Sequence, residues 1–231
     1  MANFHTHLNV ASFSSAVASG MMYYAGFVDK QEATLLFIGG ILGGVLPDID
    51  SDNSTPTKIM QYIFANLISF FVLFKYIGIY PIGNLILIWI GSFIGSFVLF
   101  YIFNKITTHR GMFHSVPAGF IFWFLFSLLF YYVFHYHILM SWYFGMFIFF
   151  GYMIHLILDE VYSVDLGGAK IKKSFGSAFK FWSSDYKATA IFYLVAISLF
   201  ILMPGKKYFY NSWYKFDIIT TYHKILRKSI R

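Results

Sequence analysis

Long uncharged apolar runs alternate with short polar junctions along the chain. Runs at 8 to 28, 33 to 46, 59 to 79, 82 to 103, 116 to 134, 138 to 158 and 188 to 203 predict helices. Several reach the roughly 20 residues that span a bilayer. The third is interrupted only by Lys75 near its end, where a long cationic side chain can snorkel to the interface. Segment 8 to 28 carries Ser12, Ser14, Ser15 and Ser19, a polar face suited to packing inside a bundle. Segment 33 to 46 holds Gly39, Gly40, Gly43 and Gly44, which permit close helix approach. At 1.5 Å per residue it covers only about 21 Å, so its C-terminal end is expected to be recessed in protein. No basic stretch precedes residue 8, the first lysine being Lys30, and no cleaved signal peptide is expected. The predicted fold is all-α: a polytopic integral membrane helical bundle with about six or seven transmembrane or membrane-embedded helices. A single membrane-embedded domain is expected over residues 1–204, followed by a basic C-terminal tail at 205–231.

Taken as successive hairpins, the runs sort the polar junctions by side. If 8 to 28 goes out and 33 to 46 returns, and the next two pairs repeat the excursion, four junctions share one face: residues 1 to 7, 47 to 58, 104 to 115 and 155 to 187. The opposite face receives the short turns near 29, 80 and 136.

Composition reinforces the membrane reading. Hydrophobic residues make up 58% of the 231 and charged residues only 12%, against about 25% charged in a typical soluble domain. With 17 Lys+Arg and 10 Asp+Glu, too few ionisable side chains exist to cover a soluble fold of this size. Cysteine is absent, which excludes disulfides, thiolate metal sites and a thiol nucleophile. Any metal must be held by His, Asp or Glu.

The four same-side junctions hold such residues: His5 and His7; Asp48, Asp50 and Asp52; His109 and His114 around Arg110; His155 and Asp159. They are nitrogen and oxygen ligands of the kind that suits zinc, manganese or magnesium. His155 and Asp159 are four apart, so about 40° apart on one helix face. A simple His/Asp hydrogen bond would also explain that spacing, but an ionisable group inside an apolar run is expensive and is a functional candidate by default. Asp48 and Asp50 follow Pro47; a spacing of two puts both on one side of an extended segment, and a helix stop with an Asx turn is the plainer alternative. His109 and His114, about 140° apart on an ideal helix, converge only if Gly111 breaks the turn. Each signal has an ordinary alternative; their shared face argues for one cluster. His135 and His137 fall at the opposite turn and are read as interfacial residues.

The order Thr6-His7-Leu8, then Leu46-Pro47-Asp48-Ile49-Asp50 with Ser54 beyond, then His109-Arg110-Gly111-x-x-His114-Ser115, then Gly151-Tyr152-x-x-His155-Leu156-x-x-Asp159 resembles the YdjM-like family of membrane-bound metal-dependent hydrolases. The resemblance covers residue 6 to about residue 182, and the stretches from Tyr162 to Leu166 and from Lys172 to Ala178 are similar to one subgroup. It implies an all-α bacterial inner membrane protein, more distantly similar to zinc-dependent phospholipases C and related nucleases. It favours His7 over His5 as first ligand. Many members have a short Gly-containing stretch ending in Pro after the last Asp, where this chain has a longer basic loop.

The resulting ligand set is His7, Asp48, Asp50, His109, His114, His155 and Asp159, more than one tetrahedral zinc uses. Two divalent ions, zinc first, with manganese or magnesium as alternatives, would use the set and leave positions for water. Arg110 is placed to bind phosphate oxygens, and Asp50 is either a ligand or the base that orients water. Ser54 and Ser115 are candidates for holding carboxylates or imidazoles in place. The loop 159 to 187 interleaves Lys170, Lys172, Lys173, Lys180 and Lys187 with Phe175, Phe179, Phe181 and Trp182, as expected of a segment lying over anionic head groups; a plain positive-inside loop is the alternative. Lys172 and Lys173 are its candidate lipid or substrate contacts. The tail's charge would also suit nucleic acid, but a membrane protein carries such residues for topology first.

The expected function is metal-dependent hydrolysis, of phosphoester type, on a lipid-linked or interfacial substrate. The alternative is a non-enzymatic membrane protein whose His/Asp cluster is structural and recruits partners. A transporter, which would want ligands near the bilayer midplane along a pore, ranks below both. Counting basic residues through 187 favours a cytoplasmic site. If 188 to 203 crosses fully, the seven basic residues of the tail land opposite and nearly cancel that bias.

Overall fold

The computed structural model describes residues 3–50, 55–106, 113–165, 170–171, 179–182 and 185–214, and the structural statements below concern these. The fold is all-helical apart from a two-residue antiparallel pair, Val164–Asp165 with Lys170–Ile171. The helices are α1 (Phe4–Tyr24), α2 (Lys30–Val45), α3 (Thr55–Tyr76), α4 (Ile82–Ile106), α5 (Val116–Tyr132), α6 (Ile138–Val161), α7 (Tyr186–Leu202) and α8 (Lys206–Tyr214). They fall into two compact units: α1, α2 and α5 to α8 form one, α3 and α4 the other.

Six or seven spans were expected. Among the described residues two helices, Ile82–Leu99 within α4 and the whole of α6, are long and apolar enough to cross a membrane, and three if the bent pair α7 and α8 counts as one. α2, α5 and α7 stop at 16, 17 and 17 residues, about 24–26 Å of rise, and the serines and histidines of α1 dilute its apolar content.

The first unit is organised around α6, which packs against α1, α2, α5 and α8. Its residues from Met140 to Ile148 are almost all buried, as expected for a helix apolar around its whole circumference. α2 approaches it backbone to backbone: a Cβ on Gly151 would strike the Gly40 carbonyl, and one on Gly43 would strike the backbone of Ile148. The glycines thus act as interface positions, where small residues let helix backbones touch. α1 follows the same logic. His7, Ala11, Ser15, Ser19 and Met22 form its buried stripe at near-helical spacing, while Phe13, Val17 and Met21 face outward.

Each helix start has a local cause. Asp29 caps α2 in a capping box with Glu32, the two side chains and backbones bonding reciprocally at 2.8 and 2.9 Å. Ser115 caps α5 with Pro117 just inside, where a missing N–H costs nothing. His137 caps α6 through Nδ1, which accepts from Met140 N–H at 3.2 Å.

Beyond α2 the chain does not run extended, as the Asp48/Asp50 spacing suggested. Leu46–Asp50 forms a 3-10 turn, because Pro47 holds a helical φ at a helix-initiating position.

The second unit is an antiparallel hairpin. Tyr62 meets Phe97 and Phe70 meets Trp89 across it, at ring separations of 4.9 and 6.1 Å. Gly78, at φ +84, supplies the left-handed residue its turn needs. The hydroxyls of Ser69, Ser92 and Ser96 bond to carbonyls four residues back at 2.6–2.7 Å, which satisfies them without a partner from outside, as lipid surroundings require.

Candidate metal centre

The site end of the first unit is where α1 and α5 begin and where α2 and α6 finish. Four ionisable side chains meet there, all about 1–2% exposed or less: His7 from α1, His114 just before α5, and His155 and Asp159 one turn apart on α6. Asp159 is the hub. His7 Nε2–H donates to its Oδ1 at 3.2 Å, and His155 Nε2 lies 3.7 Å from its Oδ2. The His7 and His155 rings are stacked, and His114 stands edge-on to His155 at 5.7 Å.

His155 is oriented by backbone. Its Nδ1 lies 2.8 Å from the Gly44 carbonyl oxygen, which can only accept, so Nδ1 carries the proton. The neutral ring then has its lone pair on Nε2, the nitrogen facing Asp159 Oδ2. A cation between that lone pair and the carboxylate, or a second ring proton, reconciles the two. A ligating imidazole held by its other N–H on a carbonyl is the usual arrangement in metal sites. The donor atoms of His114, His155 and Asp159 lie within 4.8 Å of one another, so the three could hold a metal ion. Two imidazoles and a carboxylate are nitrogen and oxygen donors of the kind that binds a divalent cation.

His7 is 2% exposed and paired with Asp159, whereas His5 is exposed. His7 Nδ1 is buried with no hydrogen-bond partner among the described residues. Ser115 sits beside His114 as the N-cap of α5. Asp48 lies in the 3-10 turn, four residues past Gly44 and partly buried, where the chain leaves the first unit for the second. The side chain of Asp50, and Ser54, His109, Arg110, Lys172 and Lys173, lie outside the described residues.

Sequence reasoning missed the Gly44 carbonyl. A backbone acceptor leaves no residue-type signature, and the only available signal was the glycine pair Gly43-Gly44 opposite an apolar helix carrying a histidine. The far end of the unit differs. There His137 Nε2–H donates to Glu32 Oε1 at 2.7 Å, with the imidazole 58% exposed, an open hydrogen-bonded pair separated from the cluster by most of the length of α6.

Segment 179–182 returns to the site end. The Lys180 carbonyl accepts from the N–H of Val116, two residues past His114, at 3.0 Å. Tyr193 OH donates to the Phe181 carbonyl at 3.1 Å. Phe179, Phe181 and Trp182 are exposed.

Compared with known proteins, the chain matches one family model, described as YdjM inner membrane protein, over residues 1–206. No curated protein and no solved structure matches it.

Proposed function

The chain belongs to the YdjM inner membrane protein family, and we propose that within the membrane it is a metal-dependent hydrolase acting on phosphate esters carried by lipid or presented at the interface. The observation that carries this reading is His155: Gly44 fixes its tautomer so that Nε2, beside Asp159, is a lone-pair donor. His114, His155 and Asp159 would hold the ion, with His7 beside Asp159 as a further donor. Asp48, Asp50 and His109 complete the proposed set, which is sized for two ions, zinc first. A bound divalent cation supplies Lewis acidity and a water acidified toward neutrality.

The chain's own groups have separate tasks. Asp159 accepts from His7 and so holds that ring in place. Burial of the cluster keeps bulk water from the donor atoms and strengthens every charge interaction there. Arg110, flanked in sequence by two proposed ligands, binds non-bridging phosphate oxygens in bidentate fashion. Asp50 orients the attacking water, and Lys172 and Lys173 contact anionic head groups. In this reading the protein is multi-pass and the site lies on the cytoplasmic face, beside the lysines between α6 and α7; a full crossing by α7 would place the basic tail on the other face and offset that count.

A second reading is favoured by the same geometry. The chain of contacts from His7 through Asp159 and His155 to Gly44 ties α1, α6 and α2 together, so the cluster would serve a non-enzymatic membrane protein as a structural clamp.

Metal analysis of purified wild type, His114→Ala and Asp159→Ala, alongside turnover of a phosphomonoester and phosphodiester panel, separates the two. The hydrolase reading expects at least one equivalent of metal and metal-dependent turnover in wild type, both lost in the variants. Wild type purified without metal would overturn it; metal without turnover on the panel would leave the structural clamp.

A further inference from the structure

α7 and α8 meet at an elbow of 91° over Met203-Pro204-Gly205. α7 begins at the site end: Phe192 packs on Phe113, next to His114, and Tyr193 bonds segment 179–182. It finishes at the other end, where Met203 joins Phe124 and Trp142, the latter near the start of α6. The helix therefore traverses the first unit alongside α5.

Its outward face is apolar to its last residues: Ile191, Leu194, Ile197, Ile201 and Leu202 are all exposed. Four residues later the chemistry changes to Lys206-Lys207-Tyr208-Phe209-Tyr210. The elbow is built. Trp142 Nε1–H donates to the Pro204 carbonyl at 2.8 Å, and the Trp142 indole stacks on Phe209 at 4.5 Å and 13°. Gly205 takes φ +61, and a Cβ there would strike Ile138. Lys206 Nζ donates to the carbonyls of Ile201 and Met203, both at 2.9 Å, placing a cation on the negative end of α7. With Phe209 turned inward, α8 leaves Lys207, Tyr208 and Tyr210 outward.

We propose that α8 is an interfacial helix seated on lipid head groups at the membrane face opposite the His/Asp cluster, with α7 as the full crossing that takes the chain there. The occupant is lipid. The switch from exposed aliphatic side chains to Tyr and Lys occurs at the bend, which is where hydrocarbon gives way to head groups. The cation of Lys207 matches anionic lipid. This assignment holds whether or not the cluster is catalytic.

The natural absence of cysteine permits a direct test with single-cysteine variants at exposed positions. Gln31→Cys, Tyr186→Cys and Tyr208→Cys are each labelled with an impermeant maleimide in intact and in permeabilised spheroplasts. Tyr208→Cys is expected to follow Gln31→Cys at the far end and to be opposite to Tyr186→Cys. Labelling on the same side as Tyr186→Cys would overturn the crossing and make α7 re-entrant. A nitroxide on Tyr210→Cys, in vesicles containing anionic lipid, is expected to show collision accessibility intermediate between oxygen-rich core and aqueous values. Full aqueous accessibility would overturn the interfacial seat.

Discussion

The imidazole of His7 lies flat on that of His155, 3.7 Å between ring centroids and 10° between planes, and both rings turn Nε2 toward Asp159. Residues 148 positions apart are thus held by one carboxylate. Two stacked rings on a buried anion are stable when the total charge is balanced by a proton or a metal.

Asp159→Asn tests that balance. It keeps the volume and removes the charge, taking away the carboxylate that His7 and His155 both face. We expect a stability loss of about 1–3 kcal/mol, the cost of disturbing a buried hydrogen-bonded group, and a fall in bound metal to near zero. Denaturant unfolding in detergent and elemental analysis measure the two effects.

Chelation should act on the wild type through the same site. A ligand present at a hundredfold excess over its Kd stabilises the folded state by about 2.7 kcal/mol. Treatment with a chelator is expected to lower the wild-type unfolding midpoint and to leave that of Asp159→Asn unchanged. Equal shifts in both proteins would mean that no ion is held at Asp159.

Gly151→Ala places a methyl against the Gly40 carbonyl, and neither backbone can yield cheaply. Overpacking of this kind costs about 1–3 kcal/mol, and α2 should move away from α6, lengthening the bond from His155 to Gly44. Gly20→Ala, on α1 with nothing within 4 Å, is the matched control and should be neutral or slightly stabilising. Hydrogen exchange at α2 amides distinguishes separation of the two helices from general loosening.

Glu32→Gln addresses the hydrogen-bonded pair at the far end. His137 is largely exposed, and an open pair contributes about 0.2–1 kcal/mol. Metal content should stay at the wild-type level, in contrast to Asp159→Asn.

Trp142→Phe retains a ring to stack on Phe209 but deletes the donor to Pro204. A loss of about 1 kcal/mol is expected, with faster protease cleavage after α7.

The helices were legible in the sequence because each is an uninterrupted apolar run between polar junctions. The prediction of 82 to 103 and 138 to 158 falls inside α4 and α6. The serine face of α1 was legible too, since Ser15 and Ser19 repeat at a helical interval. α8 was not. A nine-residue segment of Tyr, Lys and Trp reads as tail by composition and becomes a helix because Phe209 docks on Trp142. The Asp48 turn was left open between an extended segment and a helix stop, because an i, i+2 spacing carries no information about backbone state once Pro47 has set φ. At the site, residue types named the donors, while the tautomer of His155 depends on a carbonyl that any residue could have supplied.

The elbow at Pro204 also fixes a distance. Because Trp142 lies near the start of α6 and grips both Pro204 and Phe209, anything pulling on the tail pulls on α6, whose other end carries His155 and Asp159. A partner that engages the residues after Tyr214 would have a lever along α6, about 20–26 Å long at 1.5 Å per residue, reaching from the elbow to the His/Asp cluster.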